Sequence, residues 1–197
     1  MNLTELQKEI HENAKAHGWW DKEVPIEERL FLCISELAEA GEEIRNGHDP
    51  KEIYYSGAPG QQIELGGIDK LKPEGYPVEL ADFEIRLIDI AAGLRIVLDD
   101  YGLSKEMGTC RDYPRIDDFF PFLLDKTRAV LFLMENMSHP NGNTNHYREV
   151  FLPTIFYKII CNLIIHCETH GINREEAIRI KMRYNKNRPF RHGGKLA

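Results

Sequence analysis

The chain has 197 residues, 42% of them hydrophobic and 29% charged, an ordinary globular balance and enough length to bury a real core in a single domain. No apolar run approaches the roughly 18 residues of a membrane span. The stretch Met1–Trp20 lacks the apolar core of a secretory signal. Cys33, Cys110, Cys161 and Cys167 show no paired framework spacing, which reads as reduced thiols in a cytoplasm. The net charge of −7 is unevenly spread: Ile172–Ala197 carries eight Lys/Arg against two Glu, or +6, leaving −13 on the rest.

Hydrophobic periodicity and stop signals predict about six helices and an all-α fold. The first runs from a cap near Thr4 to about His17 and is stopped by Gly18. The second begins near Glu27 after Pro25 and ends before Gly47, with Arg45 in its last turn. Residues 47–77 form a long Gly/Pro-rich insertion, with room for a short hairpin around Gly66-Gly67; connections of this length in a domain are usually functional or mobile. The third helix starts after Pro77 and is expected to reach about Tyr101. A loop containing Gly108, Pro114 and Asp117 precedes a fourth helix from Asp118 to about Met137, and Ser138–Asn143 is a turn cluster. A fifth helix covers Tyr147 to His170. A sixth, capped by Asn173 with Glu176, ends at Pro189, followed by a basic extension over 189–197.

Two carboxylate pairs carry the chemistry: Glu36-Leu-Ala-Glu39 and Glu79-Leu-Ala-Asp82. Spacing of i, i+3 sets both acids of a pair on one side of a helix, about 60° apart. Their surroundings are apolar, with Phe31-Leu-Cys-Ile34 before the first pair and Phe83–Ala92 after the second. Acids projecting from two largely buried helices repel one another unless protonated or neutralised, and hard oxygen ligands suit Mg²⁺ or Mn²⁺. Ordinary solvated acids are the plain alternative. Glu43 extends the first stripe and reads as a salt-bridge partner, whereas Asp89 extends the second without a settled role. Arg86 is placed to pair with Asp82 or Asp89. Lys181, Asn185 and Arg188 fall at i, i+4 and i+7 on one face of the last helix, where cationic and amide donors can meet phosphate oxygens.

Other motifs carry less. His166 and His170 are four apart without the Glu of a zinc-protease helix, and Cys161 and Cys167 nearby read more simply as buried thiols. Trp19-Trp20 reads as a packing anchor whose indole could also stack on a base. No Walker loop, GxGxxG or Ser-His-Asp order is present, and neither acid pair has the Glu-x-x-His of a di-iron bundle.

The order Glu36-Leu-Ala-Glu39, Lys72-Pro-Glu-Gly75, Glu79-Leu-Ala-Asp82 and Asn185-Lys-Asn-Arg-Pro-Phe-Arg-His-Gly-Gly-Lys195, with Gly18-Trp-Trp20 upstream, resembles the MazG-like all-α nucleoside triphosphate pyrophosphohydrolases. Ser35 stands where that family often has a further acid, and the pairs are further apart than usual. The resemblance implies a helical bundle that forms a homodimer or dimer of dimers. It implies Mg²⁺-dependent cleavage of a nucleotide between its α- and β-phosphates, Mn²⁺ being a substitute. Glu36, Glu39, Glu79 and Asp82 would then hold the metal, and Glu36 or Glu39 would take a proton from the attacking water. Lys181, Asn185 and Arg188 would bind the phosphates. A membrane plays no part in this reading and nucleic acid is the disfavoured partner. The alternative is a non-catalytic interaction or nucleic-acid-binding module that keeps the fold.

Overall fold

A computed structural model describes residues 2–56, 71–110, 118–137 and 147–191, at Tyr147 and Arg148 for the backbone alone. Its described residues form α1 (Leu3–Ala16), α2 (Ile26–Arg45), β1 (Tyr54–Ser56), β2 (Lys72–Glu74), α3 (Tyr76–Gly93), α4 (Asp100–Cys110), α5 (Phe119–Met137), a π turn (Tyr147–Phe151) running into α6 (Leu152–His170), and α7 (Arg174–Lys186). Among the described residues the fold is all-α apart from one antiparallel pair of three-residue strands, in which Tyr54 faces Glu74 and Ser56 faces Lys72. The hairpin expected around Gly66-Gly67, the Ser138–Asn143 turn and His192–Lys195 lie outside the described residues.

Helix α3 is apolar nearly all round, which dictates a central position. Thirteen of its 18 residues are buried, and α1, α2, α6 and α7 all pack against it. The most extensive of these contacts is with α2, whose other side meets α5. Together with the π turn, α6 gives a 22-residue helix from Glu149 to His170 with the length and hydropathy of a membrane span; 56% of its apolar window is buried inside the protein. The helix packs against α3, α4 and α5.

Two boundaries differ from the sequence expectation. Helix α1 is capped two residues early, by Asn2, whose Oδ1 accepts from the Glu5 amide at 2.9 Å. Helix α3 stops at Gly93 instead of reaching Tyr101. The Trp20 ring lies directly against Gly93, where any Cβ would overlap it, and Arg95 turns the chain with a φ of 61°. A new helix, α4, then starts over residues expected to be loop. Asp99 Oδ1 accepts from Gly102 N at 2.6 Å, and Asp100 Oδ1 accepts from Leu3 N at 2.9 Å, so two adjacent acids satisfy the first turns of α4 and α1.

Because the Trp20 ring fills the space beside Gly93, Gly93→Ala should lower stability by about 1–3 kcal/mol through the forced displacement of the indole. Urea denaturation monitored by tryptophan fluorescence would show this as an earlier midpoint.

Candidate functional site

Helices α2 and α3 run antiparallel, with Glu36 beside Arg86 and Glu39 beside Glu79. One carboxylate oxygen from each of Glu36, Glu39 and Glu79 lies within 4.8 Å of the other two. Glu36 and Glu79 are buried, at 5% and 2% exposure, and Glu39 opens to solvent. The Glu79 Oε2 is buried with no hydrogen-bond partner. Burial pushes the Glu79 carboxyl up to about 8; Lys181 draws it back, and the Asp82 and Glu39 charges add to the rise. Burial also raises Glu36, against which the Arg86 guanidinium acts in the other direction. An unpartnered buried carboxylate is costly, and a proton or a cation relieves it.

The donor set fits a small hard cation. Oxygens bound to one Mg²⁺ at about 2.1 Å stand about 3–4 Å apart, so the observed 4.8 Å spread needs only modest side-chain rotation. Among the described residues no other group of His, Cys, Asp and Glu side chains converges in this way.

The fourth predicted acid is engaged elsewhere. Asp82 Oδ2 lies 2.6 Å from the ammonium of Lys181, a lysine only 2% exposed. The Asp82 charge still bears on both Glu36 and Glu79. Arg86 donates from Nε to Glu36 Oε1 at 2.7 Å, a different partner from the two that helical spacing suggested. Asp89 takes the Trp20 indole N–H at 3.0 Å and lies 2.7 Å from His11 Nδ1. Glu43 accepts from the Tyr54 hydroxyl at 3.1 Å, as a plain structural partner.

Next to the acids, α1, α2, α3 and α7 enclose a cleft of about 110 Å³. Trp19, Leu32, Ile85 and Ile90 line it with apolar surface; Asp82, Arg86, Asn185 and Arg188 supply its polar wall. Asn185 Oδ1 and Arg191 Nε are buried there without hydrogen-bond partners. Burial lowers the Arg188 guanidinium from its ordinary value. The predicted phosphate stripe therefore divides: Asn185 and Arg188 face the cleft, while Lys181 points into the acids. The chain past α7 folds back to close this end. Arg191 donates from its backbone N to His17 O at 3.1 Å and from Nη2 to Gly18 O at 3.1 Å. Gly18, at a φ of 78°, has Phe190 where a Cβ would go.

Arg29 and Asn13 also line the cleft without a signal read from the sequence, as does Arg191 of the basic extension. Arg29 had a usable signal, since it precedes Glu36 by seven residues on the same face of α2. Its guanidinium stacks 3.8 Å above the Trp20 ring. Of the weaker motifs, His166 lies against Phe122 with ring centroids 3.7 Å apart and bonds the Tyr76 hydroxyl at 2.8 Å. All four cysteines are buried and free. Ser35 donates back to Leu32 O at 2.8 Å within its own helix.

Comparison with family models, curated proteins and solved structures returns no match.

The raised Glu79 pKa makes a definite pH forecast. The folded chain keeps this proton up to about pH 8, whereas an unfolded chain releases it near the ordinary 4.5. The group therefore favours folding most fully at pH below the ordinary value, and that contribution is lost as pH rises to about 8. With divalent cations chelated, urea stability should fall between pH 5 and 8, by at most about 1.4 kcal/mol per pH unit from this group. Glu79→Gln should flatten that slope, and a wild-type slope retained in the variant would assign the titration to other groups.

Proposed function

We propose that this chain is a Mg²⁺-dependent nucleotide pyrophosphohydrolase, cleaving a nucleoside triphosphate or related nucleotide between the α- and β-phosphates to a monophosphate and pyrophosphate. The observation that carries this reading is the convergence of Glu36, Glu39 and Glu79, with one Glu79 oxygen buried and unpartnered, on the same two helices whose Asp82 and Arg86 line a neighbouring cleft that offers an indole and guanidinium groups. The sequence resemblance described above points the same way. A bound divalent cation, Mg²⁺ or Mn²⁺, would neutralise the charge developing on phosphate oxygens and acidify an attacking water.

The chain's own residues then have separable tasks. Glu36, Glu79 and Asp82 hold the cation together with Glu39. Glu39 is the solvent-open member, so it is the carboxylate best placed to accept the proton of the water. Arg188, Lys181 and Asn185 steady the phosphates, two of them by charge. The flat face of Trp19 and the apolar floor formed by Ile85 and Ile90 suit a base. The 47–77 insertion leaves α2 just after the first acid pair and enters α3 just before the second, which suits a segment shaping the cleft. Phe120, Leu124, Leu131 and Phe132 leave 44–54% of their surface exposed along α5. Such a face suits a homodimer or dimer of dimers, in keeping with a cytoplasmic enzyme.

Pyrophosphate release measured over a panel of nucleotides with Mg²⁺ tests the proposal. Glu36→Gln and Glu79→Gln should fall to background. Arg188→Ala should lose about 10- to 150-fold in kcat/KM while still binding Mn²⁺. No Mg²⁺-dependent release from the wild type over the whole panel would overturn the assignment. Salt-sensitive binding of RNA or DNA in its place would favour the non-catalytic alternative.

A further inference from the structure

The most unusual charged group beside the acids is Lys181. It is 2% exposed, its Nζ lies 2.6 Å from Asp82 Oδ2, and its charge also bears on Glu36 and Glu79. A buried lysine must be paired to keep its charge, and here the partner is an acid expected to serve a cation. A divalent ion on Asp82 Oδ2, at about 2.1 Å, and an ammonium hydrogen-bonded to the same oxygen would be in direct repulsion. The two cations compete for one carboxylate.

We propose that Lys181 is the built-in counter-ion of the acid cluster, occupying Asp82 in place of a divalent cation until an anionic ligand draws the ammonium away. This rests on the nucleotide reading for the nature of that ligand. Three features give Lys181 somewhere to go. It has a long flexible side chain. Its ammonium already stands 5.8 Å from the Tyr184 ring on the same helix. Asn185, one turn further along α7, faces the cleft. Leaving Asp82, the ammonium would move toward the compartment assigned to the phosphates. Of the other acids, Glu36 is held by Arg86 and Glu79 presents an oxygen without a partner, so a cation arriving at the cluster finds a vacant ligand on Glu79 and one on Asp82 held by lysine. In this arrangement the free protein resists full loading with metal alone, and metal and polyanion load together.

The experiment is a titration of the 197-residue chain with Mn²⁺ alone, followed by calorimetry and by the electron paramagnetic resonance of free Mn²⁺. Lys181→Met should bind Mn²⁺ on the order of tenfold more tightly than wild type, because a positive charge has been removed from beside the ion. Lys181→Arg, which keeps the charge, should resemble wild type. The gain should vanish in the Asp82→Asn/Lys181→Met double variant. Unchanged or weaker Mn²⁺ binding by Lys181→Met would overturn the proposal, as would a gain that survives removal of Asp82. Should the methionine variant fail to fold, Lys181→Gln makes the same comparison with a polar side chain of similar length. Because no nucleotide is present, the result is independent of the pyrophosphate-release assay. Tighter Mn²⁺ binding in a protein that hydrolyses nothing would leave the counter-ion standing and remove the enzyme.

Discussion

The structure depends on how five charged side chains are carried on a helix that is buried almost all round. Glu84, fully buried, is held by two donors of Arg174 from α7. Asp82 is held by Lys181 from the same helix, Arg86 by Glu36 from α2, and Asp89 by His11 from α1 with the Trp20 indole. Buried ion pairs add little net stability over well-packed apolar residues, yet losing one partner costs about 3–5 kcal/mol. Their effect here is to make particular placements of α1, α2 and α7 around α3 far better than their neighbours. Glu79 is the exception, with an oxygen that no side chain satisfies. Every other charged group on α3 has a partner within the protein, whereas burial holds the Glu79 carboxyl protonated up to about pH 8.

Much of this was legible in the sequence because it is periodic. Helices α1, α2, α5, α6 and α7 follow from apolar spacing and from cap residues such as Asn173, whose Oδ1 accepts from the Glu176 amide. The acid pairs were visible for the same reason, since i, i+3 on a helix fixes a shared side without reference to the rest of the chain. The end of α3 was not visible. Nothing local distinguishes Gly93 from a tolerated helical glycine; its role comes from Trp20, 73 positions earlier, whose ring occupies the missing Cβ. Helix α4 follows from that stop and from the Asp99 side chain, a capping signal hidden inside a run that still looked helical. The β1–β2 pair is three residues a side, too short to show an alternating period.

The partners of the site residues were harder to read than the residues themselves. Lys181 was expected at phosphate and sits against Asp82; Arg86 was expected to pair along its own helix and reaches across to Glu36. For Arg86 the intrahelical neighbours Asp82 and Asp89 are available at the right spacing, but a buried opposite charge on another helix is less well screened and so prevails. Arg191 belongs to no periodic segment at all. Its place in the cleft is set by the return of the chain to His17 and Gly18, a long-range backbone contact that composition cannot announce.

The antiparallel seating of α2 on α3 gives the cleft a direction as well as a shape. Read along the two helices, Arg29 and Trp20 stand near Asp89 at one end, Arg86 meets Glu36 in the middle, and Glu39 meets Glu79 at the other. Guanidinium and ring thus give way to carboxylate over a few turns, so the two ends of the α2–α3 seam differ in charge. That sense is tied to helix register. A slide of α2 by one turn, about 5.4 Å, would bring Arg86 opposite Leu32 or Ala40, either of which would strand its charge. The ion pair that keeps α3 soluble in its own core is therefore also what keeps the arrow of the cleft from slipping.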